Sequence, residues 1–185
     1  IEPVVASWIR GPAAHSPGLR LEIGAVALET PEALSRGDVD FAVDVYPDPV
    51  EGFHVSHLYF DRFVCVLRKH HPAARSRLTR RVYSRLHHLQ VTGTGGGGNI
   101  LEMELARLGS SRKIAVWMPS LATAPFTASQ TDWALTAPST RARLSAKFFA
   151  IAVGPLPFPD ARFPFRRSRT NGLTQVRCTS GCGRA

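Results

Sequence analysis

Long apolar runs are missing from this 185-residue sequence. None approaches the roughly 18 residues that a membrane-spanning helix needs, so no membrane partner is expected. Cysteine is scarce, with three in all, which argues against a disulfide framework. Cys65 lies inside the apolar run FVCVL and reads as a small core residue. Cys178 and Cys182 sit in a tail of Thr, Ser, Gly and Arg with no further ligands at useful spacing, so no metal site is expected. The opening IEPVVASWIRGPAAH has an early acid and no apolar core, and is not a secretory signal. With the odd cysteine number, this points to a cytoplasmic location. The first residue is Ile1 and not Met, and we expect a longer parent chain.

Acids are also few: 14 Asp and Glu against 23 Lys and Arg, for a formal charge of +9. The excess is uneven. Arg62, Arg68, Lys69, Arg75, Arg77, Arg80, Arg81 and Arg85 follow one another without an acid between them. Such a run either binds phosphate or is the solvated face of a helix. No aromatic residues interleave at base-stacking spacing, Tyr83 standing alone, so the solvated face is the preferred reading.

A catalytic set is missing too. His70-His71 and His87-His88 are adjacent pairs, whose side chains point apart on a strand or helix and make poor metal ligands. Asp38 and Asp40 lie on one side of a strand edge without a matching base or nucleophile, and Asp40 is expected to accept backbone N–H bonds. Ser120 follows Pro119 without the G-x-S-x-G elbow of hydrolases. Gly93 to Gly98 satisfies G-x-G-x-x-G after a strand and before a helix. However, a dinucleotide site also wants an acid about 20 residues on, and Ala106–Thr131 contains none. A phosphate-binding P-loop would need Lys-Ser/Thr after the glycines, and neither follows. The remaining readings are a flexible loop, or free N–H groups at a helix start that hold an anion such as a carboxylate. We expect no enzyme, no catalytic residue and no cofactor.

The composition, 44% apolar and 20% charged, is that of an ordinary globular chain of one or two domains. Helical spacing appears at Ile1, Val4, Val5, Trp8 and Ile9, and a strand follows with Leu19, Leu21 and Ile23 on one side. Thr30-Pro31 opens a helix as cap and first residue, and Gly37 closes it. Val39, Phe41, Val43 and Val45 alternate as a strand, and Phe63–Leu67 is a second one after the turn YPDP. Further on, a basic helix is predicted over 78–89 and a short strand ends at Thr92. The helix ILEMELARLG and the strand KIAVWM come next. LATAPFTASQ reads as a marginal helix broken by Pro125. Then follow the strand in DWALTAPS, the helix STRARLSAKF capped by Ser139 or Thr140, and a strand in FFAIAVG. Alternating strands and helices imply an α/β class with parallel sheets.

The stretch Glu32–Ala74 carries a more specific signal. Its order of helix, GDVDFAV, turn and LYFDRFVCVLRKHHPA resembles the effector-binding domain of LysR-type transcriptional regulators. That family writes a G-x-hydrophobic-D step, an L…d…v-V strand and HP-hydrophobic-A in this order. The resemblance implies the two-lobed, periplasmic-binding-protein-like type 2 fold, each lobe a sheet flanked by helices, with the first strand missing here. Subdomain I would hold 1–62 and 151–165, and subdomain II 63–150, with the strands in DRFVCVL and FFAIAVG as the hinge. The family pattern fails over 166–185, where a disordered or divergent tail is expected. It further implies a small-molecule effector, often aromatic or carboxylated, held between the lobes. Carried onto this sequence, its contacts fall at Ala25, Val26, Ala27, Val45 and Tyr46 in one lobe. In the other they fall at Thr92, Gly93, Thr94, Pro119 and Ser120. Family members pair as dimers or tetramers and reach DNA through an N-terminal helix-turn-helix that this chain does not contain. The alternative is a stand-alone solute-binding protein of the same fold.

Overall fold

A computed structural model of the chain describes residues 10–11, 22–24, 29–44, 52–92, 97–158 and 162–170. Helix α1, Thr30–Arg36, carries Pro31 in its first turn, where a missing N–H costs nothing. Its N-cap position is Glu29, and Thr30 is buried inside the helix instead of capping it. Gly37 ends it in the left-handed conformation (φ 78°), its N–H bonded to the Leu34 carbonyl at 3.1 Å. The strand expected from Val39 is shorter than its alternation suggests: β1 spans Ala42–Asp44. The helix predicted over 1–9 and the YPDP turn lie outside the described residues, and Glu22–Gly24 form no regular element.

The organising element is β2, Phe53–Arg68, a strand of 16 residues. Along its first part, through Arg62, it pairs antiparallel with β7, Arg162–Thr170, which also pairs antiparallel with β1. From Phe63 onward it changes partners. Phe63–Val66 pair antiparallel with β5, Ala134–Pro138, and Val64–Arg68 pair antiparallel with β6, Ile151–Pro155. The run FVCVL is continuously apolar because both its faces are covered there, not one. Beyond β5 come β3, His87–Val91, and β4, Lys113–Met118, both parallel. The order is β1-β7-β2-β5-β3-β4, with β6 on the other side of β2.

Several expectations are corrected. The sheet is mixed and not parallel throughout, because β2 traverses it antiparallel to β5, β6 and β7. The helix expected over 78–89 is α2, Arg80–Arg85, capped by the Thr79 hydroxyl. It stops there because His87–Val91 are drawn into β3 between two strands. Pro125 does not break its helix but sits in the first turn of α4, Ala124–Gln130. Arg166–Thr170, expected in the tail, belong to β7. Residues 171–185 lie outside the described residues. β6 pairs with the later part of β2.

Three helices cover the part of the sheet beyond Phe63. α3, Gly97–Arg107, buries Leu101 and Leu105 beside Phe63, Cys65 and Leu67, with Tyr83 of α2 in the same cluster. α4 and α5, Ser139–Ser145, pack Ala124, Ala128 and Ala142 on the opposite face with Val64, Val66, Leu89 and Leu135. The β2 side chains alternate between the two clusters, as the pleat requires.

Candidate functional site

The parallel strands β3 and β5 lie side by side, and the chain leaves them on opposite faces. It leaves β3 toward α3, on the Cys65 face, and β5 into α5, on the Val64 face. Adjacent parallel strands with exits to opposite faces mark a switch point. At such a point the loops part and leave a crevice at the carboxyl ends of the strands. Thr92 stands at the end of β3, and Pro119 and Ser120 at the end of β4.

The structure brings these three together. The Thr92 N–H donates to the Met118 carbonyl at 2.8 Å, and its hydroxyl donates to the same oxygen at 3.1 Å. Thr92 is therefore pinned beside Pro119, its hydroxyl lone pairs left as acceptors at an exposed edge. The Ser120 hydroxyl accepts from Ala122 N–H at 3.1 Å, and its carbonyl accepts from the Thr123 hydroxyl at 3.3 Å. Ser120 thus shapes the turn into α4 while remaining half-buried at the strand end. Ala25, Val26, Ala27, Val45, Tyr46, Gly93 and Thr94 lie outside the described residues.

Sequence reasoning missed Asp61. This carboxylate is 6% exposed within β2 and accepts four hydrogen bonds. They come from Ser139 Oγ at 2.6 Å, Ser139 N at 3.1 Å, Thr140 N at 3.3 Å and Arg62 N at 2.7 Å. It caps α5 from a strand 78 residues away, the role expected of Asp40. A lone acid in the apolar stretch LYFDRFVCVL was the available signal, since a buried carboxylate needs donors.

Three buried titratable groups of the same sheet and its covering helix are held neutral. Burial pushes the Cys65 thiol up to about 12, against a smaller pull from the Arg112 guanidinium. Burial likewise pushes Tyr83 up to about 12, and its hydroxyl shares a 2.8 Å hydrogen bond with Thr136 Oγ1. Burial lowers His88 to about 4, and its Nε2 donates to the Tyr83 carbonyl at 2.8 Å. In each histidine pair one ring is buried, His71 and His88, and its neighbour exposed. His71 Nδ1 accepts from Ala73 N–H at 3.0 Å, so both buried rings serve the backbone. Arg112, its side chain almost fully buried, ties Gln90 of β3 to Glu102 of α3. Among the described residues no group of three or more His, Cys, Asp or Glu could hold a metal ion. Among them also, no helix is long and apolar enough to cross a membrane. Among the described residues the edge offers hydroxyls and strand-end backbone.

Residues 3–167 match a family described as the LysR substrate binding domain. The chain is 30% identical over 126 residues to the HTH-type transcriptional activator NahR of Pseudomonas putida, covering 68% of this chain and 42% of that protein. It is 31% identical over 132 residues to the HTH-type transcriptional activator NagR of Ralstonia sp, covering 70% and 44%. The chain thus spans less than half the length of these relatives. A probable transcriptional regulator from Pseudomonas aeruginosa superimposes with a TM-score of 0.80 at 29% identity, covering 90% of this chain and 57% of that one. The effector binding domain of QuiR in complex with shikimate superimposes with a TM-score of 0.74 at 14% identity, covering 96% and 83%, and shares the fold.

Proposed function

The chain belongs to the LysR substrate-binding domain family, with its periplasmic-binding-protein-like type 2 fold, and on that premise we propose that it senses a small-molecule inducer and thereby controls transcription. The observation that carries this reading is the switch point between β3 and β5, with Thr92 locked beside Pro119 and Ser120 at its edge. The lobes meet along β2 where it changes partners, between Arg62 and Phe63. The ligand lies between them, in contact with Thr92, Gly93, Thr94, Pro119 and Ser120 on one side and Ala25–Ala27, Val45 and Tyr46 on the other. Its chemistry is that of a mostly apolar, aromatic or aliphatic carboxylate. The threonine and serine hydroxyls orient it, and N–H groups at the start of α3 bind its anionic end.

Binding shifts the lobes only as far as the ligand's affinity differs between their arrangements. That shift is transmitted through pairing of copies into a dimer or tetramer, and on to a DNA-binding segment outside this chain, in the cytoplasm. A stand-alone solute-binding protein is the second reading. The reading frame upstream of Ile1 separates them: a helix-turn-helix supports the regulator, and an export signal supports the solute binder.

A thermal-shift screen with aromatic and aliphatic carboxylates tests the ligand. A compound at about 100 times its Kd should add about 2.7 kcal/mol of stability, or several degrees in Tm. Thr92→Val and Ser120→Ala should weaken that shift without lowering the ligand-free Tm by more than a few degrees. If no carboxylate raises Tm, or if both variants respond as the parent does, the assignment fails.

A further inference from the structure

The end of the sheet opposite the candidate site is a basic edge. Because β2 runs antiparallel to β5, its last residues lie at the same end of the sheet as the first residues of β3 and β4. His87 and Lys113 are register partners there, and the Lys69 N–H bonds the Ala150 carbonyl at 2.8 Å. The 3-10 turn Pro72–Arg75 and α2 follow directly from this end. Lys69, Arg75, Arg77, Arg81, Arg85 and Lys113 are all exposed. Two stretches of sequence that are distant from each other, 69–85 and 113, thus contribute cations to one edge.

None of these six makes a hydrogen bond or ion pair through its side chain with another described residue. Two acids among the described residues of this region are already engaged. Asp132 accepts from Arg68 at 2.6 Å, with His71 at 3.9 Å, and Glu102 is held by Arg112. Tyr83 is the buried face of α2, so Arg81 and Arg85, one turn apart, project together away from the core. Like charges at that spacing repel. An anionic partner that presents charge along a line would relieve them.

Arginine predominates in the set, and a guanidinium matches a phosphate with two parallel hydrogen bonds. No exposed aromatic alternates with these cations on α2 or the 3-10 turn, so base stacking is not provided for. The outward face of α2 offers Val82 alone as an apolar group, a poor anchor for an acidic protein. We propose that this edge binds the phosphate backbone of duplex nucleic acid without regard to sequence. This contact is separate from the effector site and additional to any DNA-binding segment outside the chain.

The test is fluorescence anisotropy of the 185-residue chain with a labelled 30-base-pair duplex of random sequence, between 50 and 200 mM salt. Binding should weaken with salt, each phosphate contact contributing about 0.9 to the slope of log K against log salt. Arg81→Gln with Arg85→Gln should lower that slope by about 1.8 and weaken binding about tenfold at 50 mM salt. Arg36→Gln, whose residue pairs with Asp38 on α1, should change neither. The proposal is overturned if the double variant keeps the parent slope, or if no binding is measurable at 50 mM salt. It is overturned equally if polyglutamate of matched charge binds more tightly than the duplex, which would make the edge a dock for acidic protein.

Discussion

The Asp61 carboxylate accepts the Ser139 hydroxyl at 2.6 Å and the Ser139 N–H at 3.1 Å, joining β2 to the start of α5 where β2 changes partners. The charge is buried but surrounded by donors, so its solvation by water is replaced by four hydrogen bonds. Asp61→Ala should cost about 3 kcal/mol in urea unfolding, because the α5 donors are left buried without an acceptor. Asp61→Asn keeps one acceptor oxygen and should cost about half as much. A loss under 1 kcal/mol for the alanine variant would show that the clamp is not holding the strand and helix together.

His88 makes stability depend on mild acid. Its folded pKa is lowered to about 4 from an ordinary 6.5, chiefly by burial. The unfolded chain therefore takes up the proton first as pH falls. The contribution of His88 is complete above pH 6.5, is lost progressively between 6.5 and 4, and amounts to at most about 3 kcal/mol. Urea midpoints measured across that window should fall for the parent and flatten for His88→Leu. An equal fall in both proteins would assign the acid sensitivity to other groups.

Cys65 should be chemically silent in the folded state. Burial raises its pKa to about 12 from 9.0, so the thiol stays protonated and shielded at pH 8. With Cys178 and Cys182 replaced by serine, a thiol reagent should label the native chain at least a hundredfold more slowly than the urea-unfolded chain. The same shift means that stability falls as pH rises above 9.0, where the unfolded thiol ionises and the folded one does not. Rapid labelling of the native chain would contradict the burial.

Gly37 stands at a backbone position that other residues avoid. Its φ of 78° puts it in the left-handed region, and an added Cβ would meet nothing within 4 Å. Gly37→Ala should therefore cost only the conformational strain, about 1 kcal/mol by chemical denaturation. A neutral or stabilising result would mean that α1 ends differently.

The periodic elements were readable from local residues. Gly37 and Pro31 mark α1, alternation in KIAVWM marks β4, and Leu101, Leu105 and Gly109 mark α3, because each signal is a backbone or face preference acting over a few residues. The family was also readable from Glu32–Ala74, whose ordered motifs lie close together in the chain.

Other features depended on pairing, which no local preference records. Whether 63–68 lie antiparallel to β5 and β6, and whether His87–Val91 join a strand in place of α2, is decided by which backbone groups meet across the sheet. The sequence RFPFRRSRT has little apolar alternation, yet it is held as β7 between two partners whose hydrogen bonds supply what its side chains lack. Asp61 looked like a polar interruption until the fold brought Ser139 and Thr140 to it. The arginine run likewise read as a solvated helix face. Only the antiparallel course of β2 gathers it with Lys113 at one edge, opposite the strand ends where Thr92 and Ser120 meet. Composition and periodicity determined the class of this protein, and the ordered motifs of Glu32–Ala74 determined its family. Long-range strand pairing decided where its charges and its candidate site came to lie, since contacts between distant residues are set by topology and not by the neighbours of each residue in the chain.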